Sequence, residues 1–191
     1  MTPRQPRKPR RTAGNRAAPP VRIRPITAAD IPAVVKLVTD VFQTASIDSR
    51  IEERFGGAAW RDVKGASVRA LAEAGARSAR NGCFAAVAAD RIVGYVSTAV
   101  HVAAARGMIV DLAVAADCQG QGIGARLIAR ALRHFRALGL HHAKIETLDT
   151  NLAGQHLYPK LGFVEVARQI HYALPLARRV SRVNTGSAHT A

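Results

Sequence analysis

Apolar and polar positions alternate along Val21–Ile26, which predicts a strand with Arg22 and Arg24 on one face and Val21 and Ile23 on the other. Thr27-Ala28-Ala29-Asp30 follows as a helix N-terminal cap, with Asp30 at the third position and Pro32 in the first turn, where a missing N–H costs least. Ile31, Val34, Val35, Val38, Val41 and Phe42 then trace the apolar stripe of a first helix. From Ser46 to Gly57 the pattern turns polar and reads as a loop or broken helix. Helical spacing returns over Ala58–Ala79, with Val63, Val68, Leu71 and Ala72 inward, and Asn81-Gly82 stops it.

Two β-branched, apolar runs come next, Cys83–Ala88 and Ile92–Val102, joined by Ala89-Asp90-Arg91 as a hairpin. Ala103–Gly107 connects them to a third strand, Met108–Val114. A long amphipathic helix runs from about Gly122 to Leu138 and ends at Gly139. Lys144–Leu148 reads as a strand, Leu152–Lys160 as a short helix, and Phe163–Ala167 and His171–Leu174 as two last strands. This order predicts an α+β fold, a mixed and mostly antiparallel central sheet of about seven strands with flanking helices.

Composition narrows this picture at the ends. Residues 1–20 hold five prolines, six basic side chains and no acid, and read as a disordered basic arm without the apolar core of a signal peptide. Residues 177–191 form a second basic tail, so the folded domain is expected over 21–176. The two tails supply nine of the fifteen net positive charges. Such tails attract polyanions non-specifically, whereas a dedicated nucleic-acid face would interleave basic residues with exposed aromatics, and the chain has only nine aromatics. No apolar run is long enough to span a membrane. Cys83 and Cys118 are isolated, and the histidines lack ligand spacing, so neither a disulfide framework nor a metal site is expected, and a reducing cytoplasm is the default.

The chemistry concentrates in Gln119-Gly120-Gln121-Gly122-Ile123-Gly124, a run of backbone N–H groups at a helix start where an anion would sit. Three readings compete. The glycines could merely let a loop turn into a helix, though three at alternate positions exceed what a turn needs. They also match a dinucleotide fingerprint, with Glu146 ending a later strand, but five residues separate Val114 from Gly120 and too little chain follows for the remaining βαβ units. The third reading is a pyrophosphate cradle for coenzyme A.

On that third reading the chain resembles the GCN5-related N-acetyltransferase (GNAT) family. Gln119-x-x-Gly122-x-Gly124 fits the family's Gln/Arg-x-x-Gly-x-Gly/Ala signature, and Leu112-Ala113-Val114 resembles its preceding strand end. Downstream, Asn151-x-x-Gly154-x-x-Leu157-Tyr158-x-Lys160-Leu161-Gly162-Phe163 looks like the family's second motif, with Gly154 in place of alanine and Pro159 directly after the tyrosine. Ile23-Arg24-Pro25 with Asp30 resembles the usual opening, so the likeness spans about 21–175.

The resemblance implies acetyl transfer from acetyl-CoA, a co-substrate, to an amine acceptor, with no metal. Gln119, Gly120, Gln121, Gly122, Ile123 and Gly124 would hold the pyrophosphate, and Leu112, Ala113 and Val114 would line the acetyl group, with the N–H near Val114 binding its carbonyl oxygen. Asn151 would cap a helix and bond to the cofactor side. Tyr158 would be the general acid that protonates the leaving thiolate, and Pro159 should end or kink its helix. Glu146 and Asp111 are the candidate bases. The acceptor, a small amine or a peptide N-terminus, would meet the segments around 44–80 and 102–107, and homodimerisation stays open. A non-catalytic acyl-CoA sensor or interaction domain is the alternative.

Overall fold

The computed structural model describes residues 20–43, 46–57, 60–78 and 80–176; the basic arm and the basic tail read from the sequence lie outside these, apart from Pro20. Strand β1 (Arg22–Pro25) leads through a single 3₁₀ turn into α1 (Ile31–Val41). Then come α2 (Ile47–Phe55), α3 (Trp60–Arg77), β2 (Cys83–Ala88), β3 (Arg91–His101), β4 (Arg106–Val114), α4 (Ile123–Ala137), β5 (His142–Ile145) and α5 (Leu152–Lys160). The strands lie in the order β1-β2-β3-β4-β5, all antiparallel except the β4–β5 pair. Sequential strands are thus neighbours throughout, and α4 makes the one crossover that a parallel pair requires.

Two apolar layers sandwich this sheet. One joins Val34, Leu37 and Val38 of α1 and Val68 and Ala72 of α3 to Ala85, Tyr95 and Ala113. The other joins Ile123, Leu127, Ile128, Ala131 and Phe135 of α4 to Phe84, Ala86, Val96 and Ile109. Central strands covered on both faces read as continuous apolar runs, which is why β2 is buried along its whole length. The β2–β3 hairpin turns through Ala89 and Asp90, both at positive φ (44° and 62°), the geometry that matches the twist of two-residue hairpins.

Three expectations need correction. The sheet among the described residues has five strands, not about seven: Phe163–Ala167 and His171–Leu174 form none, and their apolar side chains from Val164 onward stand exposed. Ser46–Gly57 is not a broken segment, because Ser46 Oγ accepts the Ser49 N–H and caps α2, which ends at Gly56 with φ 72°. Val63 points outward on α3, 60% exposed, while Lys64 takes the inward position.

The β1–α1 junction matches the sequence reading closely. The Asp30 carboxylate accepts from the Thr27 N–H (2.7 Å), from Thr27 Oγ1 (2.9 Å) and twice from the Arg24 guanidinium (2.6 and 2.8 Å). The Arg24 bond, more than burial opposes it, holds the Asp30 carboxyl far below the usual carboxylate range. A depressed folded-state pKa means this stabilisation is present in full above the unfolded value near pH 4 and is lost as pH falls through the folded one. Asp30→Asn should therefore cost about 2 kcal/mol at pH 7, and the two proteins' urea midpoints should converge in strong acid. Midpoints equally separated at both pH values would refute it.

Candidate active site

Strand β4 prepares the site by changing the face it serves. Ser97 of β3 pairs with Asp111, but Thr98 pairs with Ile109, so Val110 is an extra, bulged residue. Before the bulge, Gly107 and Ile109 lie against α4; after it, Asp111 and Ala113 lie on the α1–α3 face, with Leu112 and Val114 turned to the α4 layer. Strand β5 pairs with β4 only from Arg106 to Ile109. From Val110 to Val114 the β5-facing edge of β4 therefore has no strand partner, and a cleft opens between the two strands.

The glycine turn closes onto the end of that edge. After Val114 a single 3₁₀ turn, Ala116–Cys118, brings Gln119 back so that its Nε2 donates to the Val114 carbonyl at 3.1 Å. Gly120 and Gly122 then adopt left-handed φ values of 75° and 74°, a conformation that excludes most side chains. Helix α4 starts at Ile123 with no side-chain cap. Its first backbone bond to the turn runs from the Arg126 N–H to the Gly122 carbonyl, and among the described residues the N–H groups of Gly120 to Ala125 find no protein acceptor. Unpaired donors at a helix start, with the helix dipole behind them, make an anion site. These residues fit a pyrophosphate.

Helix α5 forms the opposite wall. The Asn151 Oδ1 caps it by accepting the Gly154 N–H at 3.1 Å, while its Nδ2 donates to Thr147 Oγ1 at 2.8 Å. A methyl group on Gly154 would lie 2.9 Å from Asn151 Nδ2, 3.1 Å from Thr147 Oγ1 and 3.2 Å from the Tyr158 ring. Glycine thus stands where the family motif has alanine because three side chains crowd that spot, which outweighs its lower helix propensity of about 1 kcal/mol. Pro159 does not break the helix before Tyr158. It falls in the last turn, one residue before the helix ends at Lys160, and the Leu161 and Phe163 N–H groups both reach the Tyr158 carbonyl. Tyr158 is half-buried, its ring edge-on to Phe163 at 6.1 Å, and burial raises its phenol pKa. Leu157 on the same helix reaches Gly124 of the turn, so the two motifs are packed together.

The candidate bases differ sharply. Glu146 follows β5 directly and is 55% exposed, paired only with Lys144 at 2.5 Å. Asp111 is fully buried on the α1–α3 face: Lys64 of α3 donates to its Oδ1 (2.5 Å), and Ser97 Oγ donates to its Oδ2 (2.9 Å) while accepting the Asp111 N–H (3.0 Å). Each of its two oxygens thus accepts from a neighbour. Lys64, Ser97 and Thr147 were missed in the sequence reading. Only Lys64 carried a signal, being four and eight residues before the buried Val68 and Ala72, and so on their face of the helix.

Among the described residues no group of three or more His, Cys, Asp or Glu side chains could hold a metal. Arg50 of α2 donates to Thr150 Oγ1 at 2.5 Å, joining α2 to the loop before Asn151.

The acetyltransferase (GNAT) family model matches residues 47–163. A mycothiol acetyltransferase of Streptomyces scabiei is 33% identical over 91 residues, 48% of this chain and 30% of that protein. N-alpha-acetyltransferase MAK3 of Arabidopsis thaliana is 31% identical over 94 residues, 48% of this chain and 50% of that protein. The chain thus spans half or less of the length of these two relatives. Among solved structures, AAC(6')-Iy in complex with the bisubstrate analogue CoA-S-monomethyl-acetylneamine superposes with a TM-score of 0.59 at 17% identity, covering 81% of this chain and 98% of that one.

Proposed function

The chain belongs to the GNAT acetyltransferase family, and from that premise we propose that it transfers an acetyl group from acetyl-CoA to a primary amine, on a small molecule or a peptide N-terminus, by direct attack in a ternary complex. The observation that carries the reading is the meeting of two features at Val114: a strand edge left open by the departure of β5, and a turn of unpaired N–H groups tied to that edge by Gln119. Acetyl-CoA supplies the acetyl group already activated as a thioester.

The protein's residues divide the remaining work. The N–H groups from Gly120 to Gly124 hold the pyrophosphate, and the open edge beside Ala113 offers the Leu112 and Val114 backbone donors to the carbonyl oxygen, an oxyanion-type role. The acceptor nitrogen forms a bond to the carbonyl carbon as the carbon–sulfur bond breaks. Tyr158 gives its proton to the departing sulfur, and the ammonium proton passes to Glu146. Asp111 does not serve as base in this reading, since Lys64 and Ser97 occupy its oxygens. Asn151 holds the start of α5 through Gly154 and Thr147.

A panel of small amines and N-terminal peptides with acetyl-CoA, followed by free thiol, tests the reading; no thiol above the hydrolysis background with any acceptor would leave the sensor alternative. With an accepted amine, Glu146→Gln should lower turnover about tenfold at neutral pH, less than a fully dedicated base because water also reaches this exposed carboxylate. The deficit should shrink in alkali, where the amine is already neutral. Equal rates at neutral pH would remove Glu146 from the mechanism. Among the described residues no helix is long and apolar enough to cross a membrane.

A further inference from the structure

The tails are not the only unbalanced charge on this chain. All thirteen Asp and Glu residues lie among the described residues, and none falls between Asp117 and Glu146. That gap holds the whole of α4, which carries Arg126, Arg130, Arg133 and Arg136. Among the described residues none of the four enters an ion pair. Cations elsewhere are matched to carboxylates, as Lys36 and Arg61 are to Asp40 and Arg91 is to Asp117.

Helix α4 turns these charges outward. Its core side is Ile123, Leu127, Ile128, Ala131 and Phe135, and Arg126, Arg133 and Arg136 stand exposed on the other. Two of the four arginines are held in place without being neutralised. Arg126 donates to the Val21 carbonyl at 2.7 Å, and the Arg130 guanidinium lies over the Phe84 ring at 3.8 Å. Arg133 follows Arg130 by one turn, and burial together with that like charge presses the Arg130 pKa down. His134 Nε2 lies 3.0 Å from the Arg80 carbonyl oxygen, which places the exposed Arg80 at the flank of the row. Residues 1–20, with six more basic side chains, join the fold at Val21, next to Arg126.

Positioned guanidinium groups without carboxylates suit phosphate, which can take two parallel N–H bonds from each. From Arg126 to Arg136 the row runs about 15 Å, longer than one phosphate group and suited to a polymer of them. Between the arginines the outer face offers Ala129 and Ala137. It has no aromatic ring to stack unpaired bases and no large apolar side chain to enter a lipid surface. Because α4 lies flat on the sheet, it does not project into a B-form major groove about 8.5 Å deep. The wide, shallow minor groove of an A-form duplex needs no such projection. We infer that the outer face of α4, flanked by Arg80, docks on the backbone of double-helical RNA. The contacts fall on phosphates and so carry no sequence preference. Arg133 and Arg136 lie roughly 14–18 Å along the helix from Gly124, so this face is separate from the proposed pyrophosphate site.

Fluorescence anisotropy of a labelled RNA duplex of about 20 bp, titrated with the full chain at several salt concentrations, should show micromolar binding that weakens steeply with salt. Arg133→Gln/Arg136→Gln should weaken it roughly 60-fold at about 0.1 M salt and flatten the log–log salt slope by roughly 1.8, about 0.9 per lost phosphate contact. Circular dichroism should be unchanged. If that variant loses its fold, Arg80→Gln/Arg136→Gln gives the same reading. Arg54→Gln/Arg69→Gln removes two exposed charges from α2 and α3 and should change Kd by less than about threefold. In competition, the RNA duplex should outrank a DNA duplex of the same sequence by about fivefold or more, and poly-glutamate and phosphatidylglycerol vesicles by more. No binding at low salt, an unchanged slope in the α4 variants, or an equal loss in the α2–α3 variant would each overturn the proposal. So would DNA, poly-glutamate or vesicles competing as well as the RNA duplex. None of these readouts depends on acetyl transfer.

Discussion

Replacing Tyr158 by phenylalanine is expected to lower the turnover number on the order of 100-fold, with little change in the KM of either substrate. The ring would keep its edge-on contact with Phe163 and its place against the α4-side core, because only the hydroxyl is removed. In the proposed function the pyrophosphate is held by backbone donors of a different element, so KM for acetyl-CoA should stand. What disappears is the proton for the leaving sulfur. A thiol titrates near 8.5 and a phenol near 10, and burial pushes this phenol higher still. The hydroxyl is thus protonated at neutral pH, and any alkaline loss of turnover from Tyr158 should come above the range of a free phenol. Thiol release at saturating substrates, measured from neutral to alkaline pH, checks both points. Wild-type turnover in the variant would remove the general-acid role, and a rise in KM matching the fall in rate would reassign Tyr158 to binding.

The largest effect on stability should come from Lys64→Met. Breaking a buried ion pair by removing one partner costs about 3–5 kcal/mol, and the 19% exposure of Lys64 places this site at the low end. Asp111 would be left fully buried without the donor to its Oδ1. Lys64 also covers the Phe42 ring at 4.6 Å, a contact methionine can partly replace. The expected result is a fall in melting temperature of roughly 10 °C. Lys64→Met/Asp111→Leu should recover most of it, since the pair is then replaced rather than broken. A single variant that melts with the wild type would show that the ion pair contributes nothing, and a double variant no better than the single would point to packing instead.

Much of this was legible beforehand, for local reasons. β2 and α5 begin and end where the residue pattern places them, and the Thr27–Asp30 cap forms as read, because each depends on neighbours a few residues away. α2 was read as a loop or broken helix because polar residues dominate it and it buries no residue; Ile47, Ile51 and Phe55 at helical spacing, between Ser46 and Gly56, were the local signs. Alternation after Phe163 was visible, but alternation marks a strand-ready segment and says nothing of whether an edge is there to receive it. Asp111 shows the deeper limit. Its position on β4 suggested an accessible carboxylate, yet the side of the sheet it faces depends on one bulged residue, and its partners come from 14 and 47 positions away. Pro159 illustrates the converse, a residue with a strong local rule that the end of a helix renders harmless.

The bulge at Val110 also has an evolutionary reading. An uninterrupted strand obeys one parity, so that every second residue answers to the same core; β4 changes parity midway. Gly107 and Ile109 answer to α4, while Asp111 and Ala113 answer to α1 and α3, with Leu112 and Val114 still turned to α4. Changes in α1 and α3 would therefore call for compensation at Asp111 and Ala113 and leave Gly107 and Ile109 undisturbed.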